Sequence, residues 1–146
     1  NEENGDPYVL AELKRRLGFE WNGMKLHEYY FEALGGSGII LEGEIKKAIS
    51  SEFGSYESWL LDIKNTAIQR GIGWALLCKD AETGRLFNIW IGDHDLGHLT
   101  ETKIILAIDI WEHAFLLDYI PSQRKDYIEA LLSNLNWEII EKRFSK

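Results

Sequence analysis

The chain has 146 residues, of which 45% are hydrophobic and 27% charged, and its formal net charge is −8. This length and apolar content are those of a folded globular domain, which excludes a disordered chain. The acidic charge excludes the basic footprint of a nucleic-acid-binding protein, the single cysteine excludes a disulfide framework, and no run approaches the roughly 18 apolar residues of a membrane span.

The first third of the chain predicts two helices. Apolar residues recur at three- and four-residue spacing over 8–17 and again over 21–34, which is the period of an amphipathic helix. Gly18 falls between the two runs, and we predict that it ends the first helix. The glycine-rich stretch 35–38 is the clearest linker in the sequence, so we predict an N-terminal helical segment at residues 1–38.

The second region, residues 39–146, predicts three strands between helices. The predicted elements are two helices, three strands and three further helices, in this order: 41–53, 55–69, 74–79, 86–91, 104–110, 112–119, 123–133 and 137–144. Residues 80–84 have turn composition, so the first two strands form an antiparallel hairpin. Because the strands are grouped and do not alternate with helices, we predict an α+β fold with a three-stranded antiparallel sheet flanked by helices.

Asp109 and His113 form the most informative pair of polar residues. Asp109 closes an apolar strand and His113 follows four residues later at the start of a predicted helix. A carboxylate and an imidazole at such a corner can converge on one iron, manganese or zinc ion. The alternative interpretation is structural, with Asp109 as an N-cap and His113 as a partly buried core residue.

The other three histidines have different surroundings. His27 lies among apolar residues on a predicted helix, where it is either a metal ligand or a core histidine. His94 lies between two aspartates directly after a strand. It is either a metal ligand, a hydrogen-bond donor to a ligand, or part of an exposed acidic turn. His98 has no pattern that supports a role.

The arrangement of these sites resembles the iron/manganese superoxide dismutase family. The stretch 106–115, LAIDIWEHAF, is similar to the C-terminal signature of that family, and its Asp-x-Trp-Glu-His block is highly specific. The stretch 27–34, HEYYFEAL, is similar to the family's second helix, and 71–74, GIGW, is similar to its turn into the first strand. The resemblance covers about residues 20–146 and implies that residues 1–38 are an incomplete helical hairpin before an α+β metal-binding domain.

The resemblance also implies an enzyme and a cofactor. It implies a superoxide dismutase that converts superoxide to O₂ and H₂O₂ at one iron or manganese ion per chain. His27, Asp109 and His113 match the family's metal ligands on the second helix and in the C-terminal domain. The choice between iron and manganese stays open.

Further roles around the metal follow from the same resemblance. His94 falls where other members place the group that hydrogen-bonds the metal-bound solvent, and Gly23 falls where some iron-type members supply that group. Trp74 and Trp111 match aromatic walls of the metal pocket, and Glu112 matches a glutamate at a two-fold dimer interface. The resemblance thereby implies a homodimer. From the acidic charge, the single cysteine and the lack of a long apolar run, we expect a cytoplasmic protein that binds neither nucleic acid nor a membrane.

The chain also departs from the family pattern. Residues 1–26 contain no histidine, whereas the family has a further histidine ligand and a gating tyrosine on its first helix. Leu116 stands where the family often has a tyrosine. We expect an N-terminally shortened member or a fragment of a full enzyme. Two explanations compete with this one: the absent first helix comes from elsewhere, or the chain is a natural short homologue.

Two other functions stay open on the sequence. The first is a non-catalytic scaffold or binding protein with this fold, which would purify without stoichiometric metal. The second is a different mononuclear non-haem iron reaction, because two histidines and one carboxylate bind Fe(II) in other enzymes.

Overall fold

A computed structural model describes residues 6–146 of the chain; residues 1–5, where the predicted N-terminal segment starts, lie outside the described part. The helices and strands are α1 (Pro7–Glu32), α2 (Glu44–Phe53), α3 (Tyr56–Ala67), β1 (Gly73–Asp80), β2 (Leu86–Gly92), β3 (Thr102–Asp109), α4 (Arg124–Leu132) and α5 (Trp137–Ser145). This order of elements confirms the predicted α+β class. The predicted boundary at residue 38 falls in the loop after α1 and stays a prediction.

The three strands form one antiparallel sheet with the order β2-β1-β3. The first six residues of the central strand β1 are buried. Trp74 of β1 pairs with Ile91 of β2 on one side and with Asp109 of β3 on the other. The register confirms the predicted sheet and places Asp109 at the edge where β1 begins and β3 ends.

Helices cover this sheet and fix the position of α1. α3 packs on β1 and β2, whereas α1 and α5 pack on β3. Large side chains such as Trp59, Trp74 and Phe115 are fully buried between these layers, and a fully buried side chain of this kind contributes roughly 1.5–3 kcal/mol. The packing of α1 on β3 brings the helix that carries His27 to the strand that carries Asp109.

The prediction of two helices at 8–17 and 21–34 is wrong, because α1 is one continuous helix. Gly18 is tolerated inside it, since glycine costs only about 1 kcal/mol relative to alanine and, unlike proline, keeps its N–H donor. The helix begins where the Asp6 carboxylate accepts a hydrogen bond from the Tyr8 N–H at 2.9 Å. Neither α1, with 26 residues, nor another helix within residues 6–146 has the length and apolar composition needed to cross a membrane.

The predicted helix 112–119 is also wrong. The chain forms only a 3₁₀ turn, Glu112–Ala114, followed by further turns. Phe115 is buried, but Leu116 is exposed and Leu117 is 97% exposed, so the segment lacks the continuous apolar stripe that docks a helix. A second 3₁₀ turn, Pro121–Gln123, leads into α4.

Candidate metal centre

Three segments that are far apart in sequence bring His27, Asp109 and His113 together. His27 comes from α1, Asp109 from the last position of β3, and His113 from the 3₁₀ turn after it. The Asp109 Oδ2 atom lies 3.3 Å from His27 Nε2 and 3.1 Å from His113 Nε2, and the two Nε2 atoms are 3.4 Å apart. One donor atom from each side chain therefore faces the same point.

The backbone of α1 orients the His27 ring. His27 Nδ1 lies 2.6 Å from the Gly23 carbonyl oxygen, one helical turn earlier. A carbonyl oxygen can only accept a hydrogen bond, so Nδ1 carries the proton and donates it. The Nε2 lone pair is thereby left free to bind a metal ion, which is the arrangement that fixes the tautomer of metal-ligating histidines.

Asp109 is oriented in a comparable way. Its side-chain oxygen Oδ1 accepts a hydrogen bond from the Trp111 N–H at 2.9 Å, which leaves Oδ2 facing the two imidazoles. The residue is only 1% exposed, and this burial raises the pKa of its carboxyl group, while the Trp111 N–H and the neighbouring histidines act in the opposite direction. A cation between the three side chains would compensate the buried carboxylate.

The donor set fits a single iron or manganese ion. Ligand bonds of about 2.1 Å at angles of 90–120° separate neighbouring donor atoms by about 3.0–3.6 Å, and the three separations here fall in that range. Imidazole and carboxylate ligands suit iron and manganese in both of their common oxidation states. His113 is the most accessible of the three, with 55% of its side chain exposed.

His94 lies beside this donor set in a defined tautomer. The Trp74 indole Nε1–H donates a hydrogen bond to His94 Nδ1 at 3.0 Å, so the proton of the neutral ring is on Nε2. Burial lowers the pKa of His94, and the neighbouring His27 ring acts in the same direction. His94 is therefore a neutral donor whose ring centroid is 5.8 Å from that of His27.

Gly23 leaves the space that His94 occupies. A Cβ atom at position 23 would lie 3.0 Å from His94 Cδ2 and 3.3 Å from His94 Nε2, closer than almost all Cβ contacts. The structure thus shows a steric relation between the two positions that the resemblance pairs by function.

The two predicted wall residues lie against the histidines. The Trp111 ring stacks on His94 with centroids 4.7 Å apart and on His113 with centroids 5.7 Å apart. The Trp74 ring meets His27 edge to face at 4.9 Å. These large apolar rings restrict the access of water to the ligand atoms from their side of the site.

Two other predicted positions lie outside the donor set. Glu112 is exposed next to His113, and its predicted place at a dimer interface stays a prediction. His98 is partly buried, and its Nε2 atom lies 2.9 Å from the His94 carbonyl oxygen.

The sequence reasoning missed two tyrosines and a phenylalanine at this site. Tyr127 donates a hydrogen bond to the Asp109 carbonyl oxygen at 2.7 Å, and the Tyr30 and Tyr127 hydroxyls are 3.1 Å apart. Phe19 meets His94 edge to face, with centroids 4.7 Å apart. Tyr30 lies three residues after His27 on the same apolar face. Tyr127 lies in the stretch 124–128, RKDYI, which also resembles the family signature, but neither signal assigned the tyrosines a role.

The fold and the geometry define a class, an α+β protein in which three side chains could hold one metal ion. Comparison with known proteins is more specific. Residues 41–143 match the family model described as iron/manganese superoxide dismutases, C-terminal domain. This chain belongs to the iron/manganese superoxide dismutase family, whose members use an iron or manganese ion.

Individual relatives agree with that assignment. The chain is 37% identical to a superoxide dismutase [Fe] of Cupriavidus metallidurans, in a match that covers 94% of this chain and 70% of the relative. It is 34% identical to a superoxide dismutase [Fe] of Methanothermobacter thermautotrophicus, over 98% of this chain and 71% of the relative. It is 31% identical to a superoxide dismutase [Mn] 1 of Halobacterium salinarum, over the whole of this chain and 72% of the relative.

Proposed function

We propose that this chain is a superoxide dismutase in which His27, Asp109 and His113 hold one iron or manganese ion. The observation that carries the proposal is the convergence of His27 Nε2, His113 Nε2 and Asp109 Oδ2, with separations of 3.1–3.4 Å. When bound, an iron or manganese ion would supply the one-electron chemistry that oxidises one superoxide to O₂ and, with the uptake of two protons, reduces a second superoxide to H₂O₂.

The side chains of this protein have separate parts in that reaction. The anionic oxygen of Asp109 favours the more highly charged state of the ion, and the neutral imidazoles of His27 and His113 moderate this preference. His94, whose ring centroid is 5.8 Å from that of His27, holds a proton at Nε2, because Nδ1 accepts from Trp74. Trp111 keeps water away from one side of the site and lowers the local dielectric constant there.

The same site also supports a proposed homodimer. Glu112 and His113 are both exposed at the surface turn after β3, and a partner related by a two-fold axis would cover them and shield the ligand histidine. We further propose a cytoplasmic, antioxidant role without a nucleic-acid or membrane partner. The net charge of −8 and the single cysteine support these assignments.

A metal and activity assay tests the proposal. The chain is loaded anaerobically with Mn(II) or Fe(II), freed of excess metal, and assayed for metal content and for superoxide dismutation. We expect close to one ion per chain and measurable dismutation, and the loss of both in His27→Gln. His98→Gln is the matched control and should retain the metal.

One observation also supports a second candidate function, a non-haem iron reaction other than dismutation. The donor set found within residues 6–146 contains only two histidines and one carboxylate, a set that also binds Fe(II) in non-haem iron enzymes. Bound iron with dioxygen consumption but without dismutation would favour this second candidate. A chain that binds neither metal would instead be a scaffold with this fold, and the proposed function would be wrong.

A further inference from the structure

A pair of buried tyrosines contacts the segments that carry the candidate metal ligands. Tyr30 on α1 and Tyr127 on α4 are both buried, and their hydroxyl oxygens are 3.1 Å apart. Tyr127 also contacts the backbone carbonyl oxygen of Asp109 at 2.7 Å. The three groups form a short chain of hydrogen bonds inside the protein.

The direction of both hydrogen bonds can be worked out. The Asp109 carbonyl oxygen can only accept, so the single hydroxyl proton of Tyr127 is donated to it. The Tyr127 oxygen must then accept from the Tyr30 hydroxyl. Burial raises the pKa of both tyrosines, which keeps both protons in place at neutral pH.

This chain of hydrogen bonds contacts each segment that carries a ligand. Tyr30 follows His27 by three residues on α1, so both lie on the same side of the helix. The Tyr127 ring stacks on Phe115, two residues after His113, with centroids 5.3 Å apart and planes at 28°. Its hydroxyl holds the peptide of Asp109. The hydroxyl pair hydrogen-bonds the Asp109 carbonyl oxygen and none of the three ligand atoms, so it acts on the site through the backbone.

We propose that the Tyr30–Tyr127 hydroxyl pair is a positioning device that sets the distance between α1 and the end of β3, and thereby holds His27 and Asp109 in register for the metal ion. The proposal rests on the proposed metal-binding function. It assigns Tyr30 and Tyr127 a role in the geometry of the site, distinct from the filling of the core.

The first test is made on the metal-free chain. Hydrogen exchange is measured by NMR at the Trp111 amide, which donates to the Asp109 carboxylate. In Tyr127→Phe the buried carbonyl of Asp109 loses its donor, and we expect about tenfold faster exchange at Trp111 with unchanged exchange in α3. The matched control is Tyr56→Phe, because the Tyr56 ring packs on Trp59 in α3, away from the metal centre. Unchanged exchange at Trp111, or equally faster exchange throughout the chain, would overturn the proposal.

The second test measures metal affinity with Co(II), whose visible absorption reports the ligand geometry. We expect Tyr127→Phe to weaken Co(II) binding by about 10- to 100-fold, as for other groups that orient metal ligands, and to change the absorption band. Tyr30→Phe should weaken binding less, because Tyr127 keeps its bond to Asp109.

The double variant makes the test specific. The Tyr30 hydroxyl acts only through Tyr127, so Tyr30→Phe combined with Tyr127→Phe should bind Co(II) no more weakly than Tyr127→Phe alone. Strictly additive effects, or wild-type affinity in all three variants, would contradict the positioning role. If the wild-type chain does not bind Co(II), the proposed function fails, and hydrogen exchange at Trp111 still decides whether the tyrosine pair holds the end of β3.

Discussion

The two halves of α1 differ in what surrounds them. In the half before Gly18, apolar side chains such as Leu13 are exposed, and no residue of the described half is buried. In the half after it, Leu26 and Tyr30 are buried against the rest of the protein, and His27 lies between them. One continuous helix thus has a packed half that carries a candidate ligand and a half that makes no contribution to the core.

This difference shows that packing, and not helix propensity, positions the candidate ligand. Both halves have the sequence period of a helix, and both are helical. Only the second half contains buried residues, and only there does burial determine which way a side chain points. A ligand on a helix is held to the precision of the contacts around it.

The largest effect is expected for the loss of metal affinity at Asp109, the last residue of β3, which faces His27 on the packed half of α1. Asp109→Asn replaces a charged ligand oxygen by a neutral amide, and we expect Mn(II) binding to weaken by more than about 100-fold, beyond the loss typical of groups that only orient ligands. Isothermal titration calorimetry measures this. Asp126→Asn, an exposed aspartate on α4, is the matched control, and equal losses in both variants would contradict the assignment.

The stability of the two halves can be compared directly. Leu26 is 1% exposed and Leu13 is 63% exposed. Leu26→Ala leaves a cavity and should lower the free energy of unfolding by about 2–5 kcal/mol, whereas Leu13→Ala should change it by less than about 0.5 kcal/mol. Urea unfolding followed by tryptophan fluorescence measures both values. Similar losses would show that the first half of α1 is packed in solution.

Thiol labelling compares the reactivity of a cysteine in the buried sheet with that of a cysteine in the exposed first half of α1. Burial raises the pKa of the Cys78 thiol to about 11, two units above its ordinary value, so the reactive thiolate at pH 8 is reduced about 100-fold. We expect Cys78 to react with iodoacetamide far more slowly than a cysteine introduced by Leu13→Cys into a Cys78→Ala background. Because folding raises this pKa, the protonated Cys78 thiol favours the folded state, and this contribution to the free energy of unfolding is lost as the pH rises from 9 to 11. Fast labelling of Cys78 in the folded chain would contradict the packed sheet.

The smallest effect is expected at a surface ion pair beside the sheet. Arg85 lies 2.6 Å from Glu52, and its hydrogen bond lowers the pKa of the Glu52 carboxyl group. The pair therefore stabilises the fold at neutral pH, and its contribution is lost as the pH falls below about 4. Glu52→Gln should cost at most about 1 kcal/mol at pH 7 and less at pH 3, as measured by urea unfolding. A larger loss of stability in Glu52→Gln at pH 3 than at pH 7 would contradict the direction assigned to the pKa shift of Glu52.

Local sequence patterns were sufficient for the sheet but not for all helices. The strands were predicted because their apolar runs and the turn at 80–84 are local signals. The continuity of α1 across Gly18 and the loss of the predicted helix 112–119 both depend on what the segment packs against. These are tertiary contacts, which a sequence period does not contain.

The candidate site was predicted mainly through the family resemblance. Asp109 and His113 were recognised as a pair from their spacing, but the residues alone left structural interpretations open for both. His27 lies 86 residues from His113, and no local pattern joins them. Tyr30 and Tyr127, 97 residues apart, escaped prediction for the same reason, since their hydrogen bond exists only once α1 and α4 have packed together.

The central claim is that one ion binds between His27, Asp109 and His113. Crystals of the chain loaded with Mn(II), measured at the manganese absorption edge, locate the ion by its anomalous scattering. We expect one peak per chain within coordination distance of His27 Nε2, His113 Nε2 and Asp109 Oδ2. A peak at other carboxylates, or no peak in protein that has taken up manganese, would contradict it.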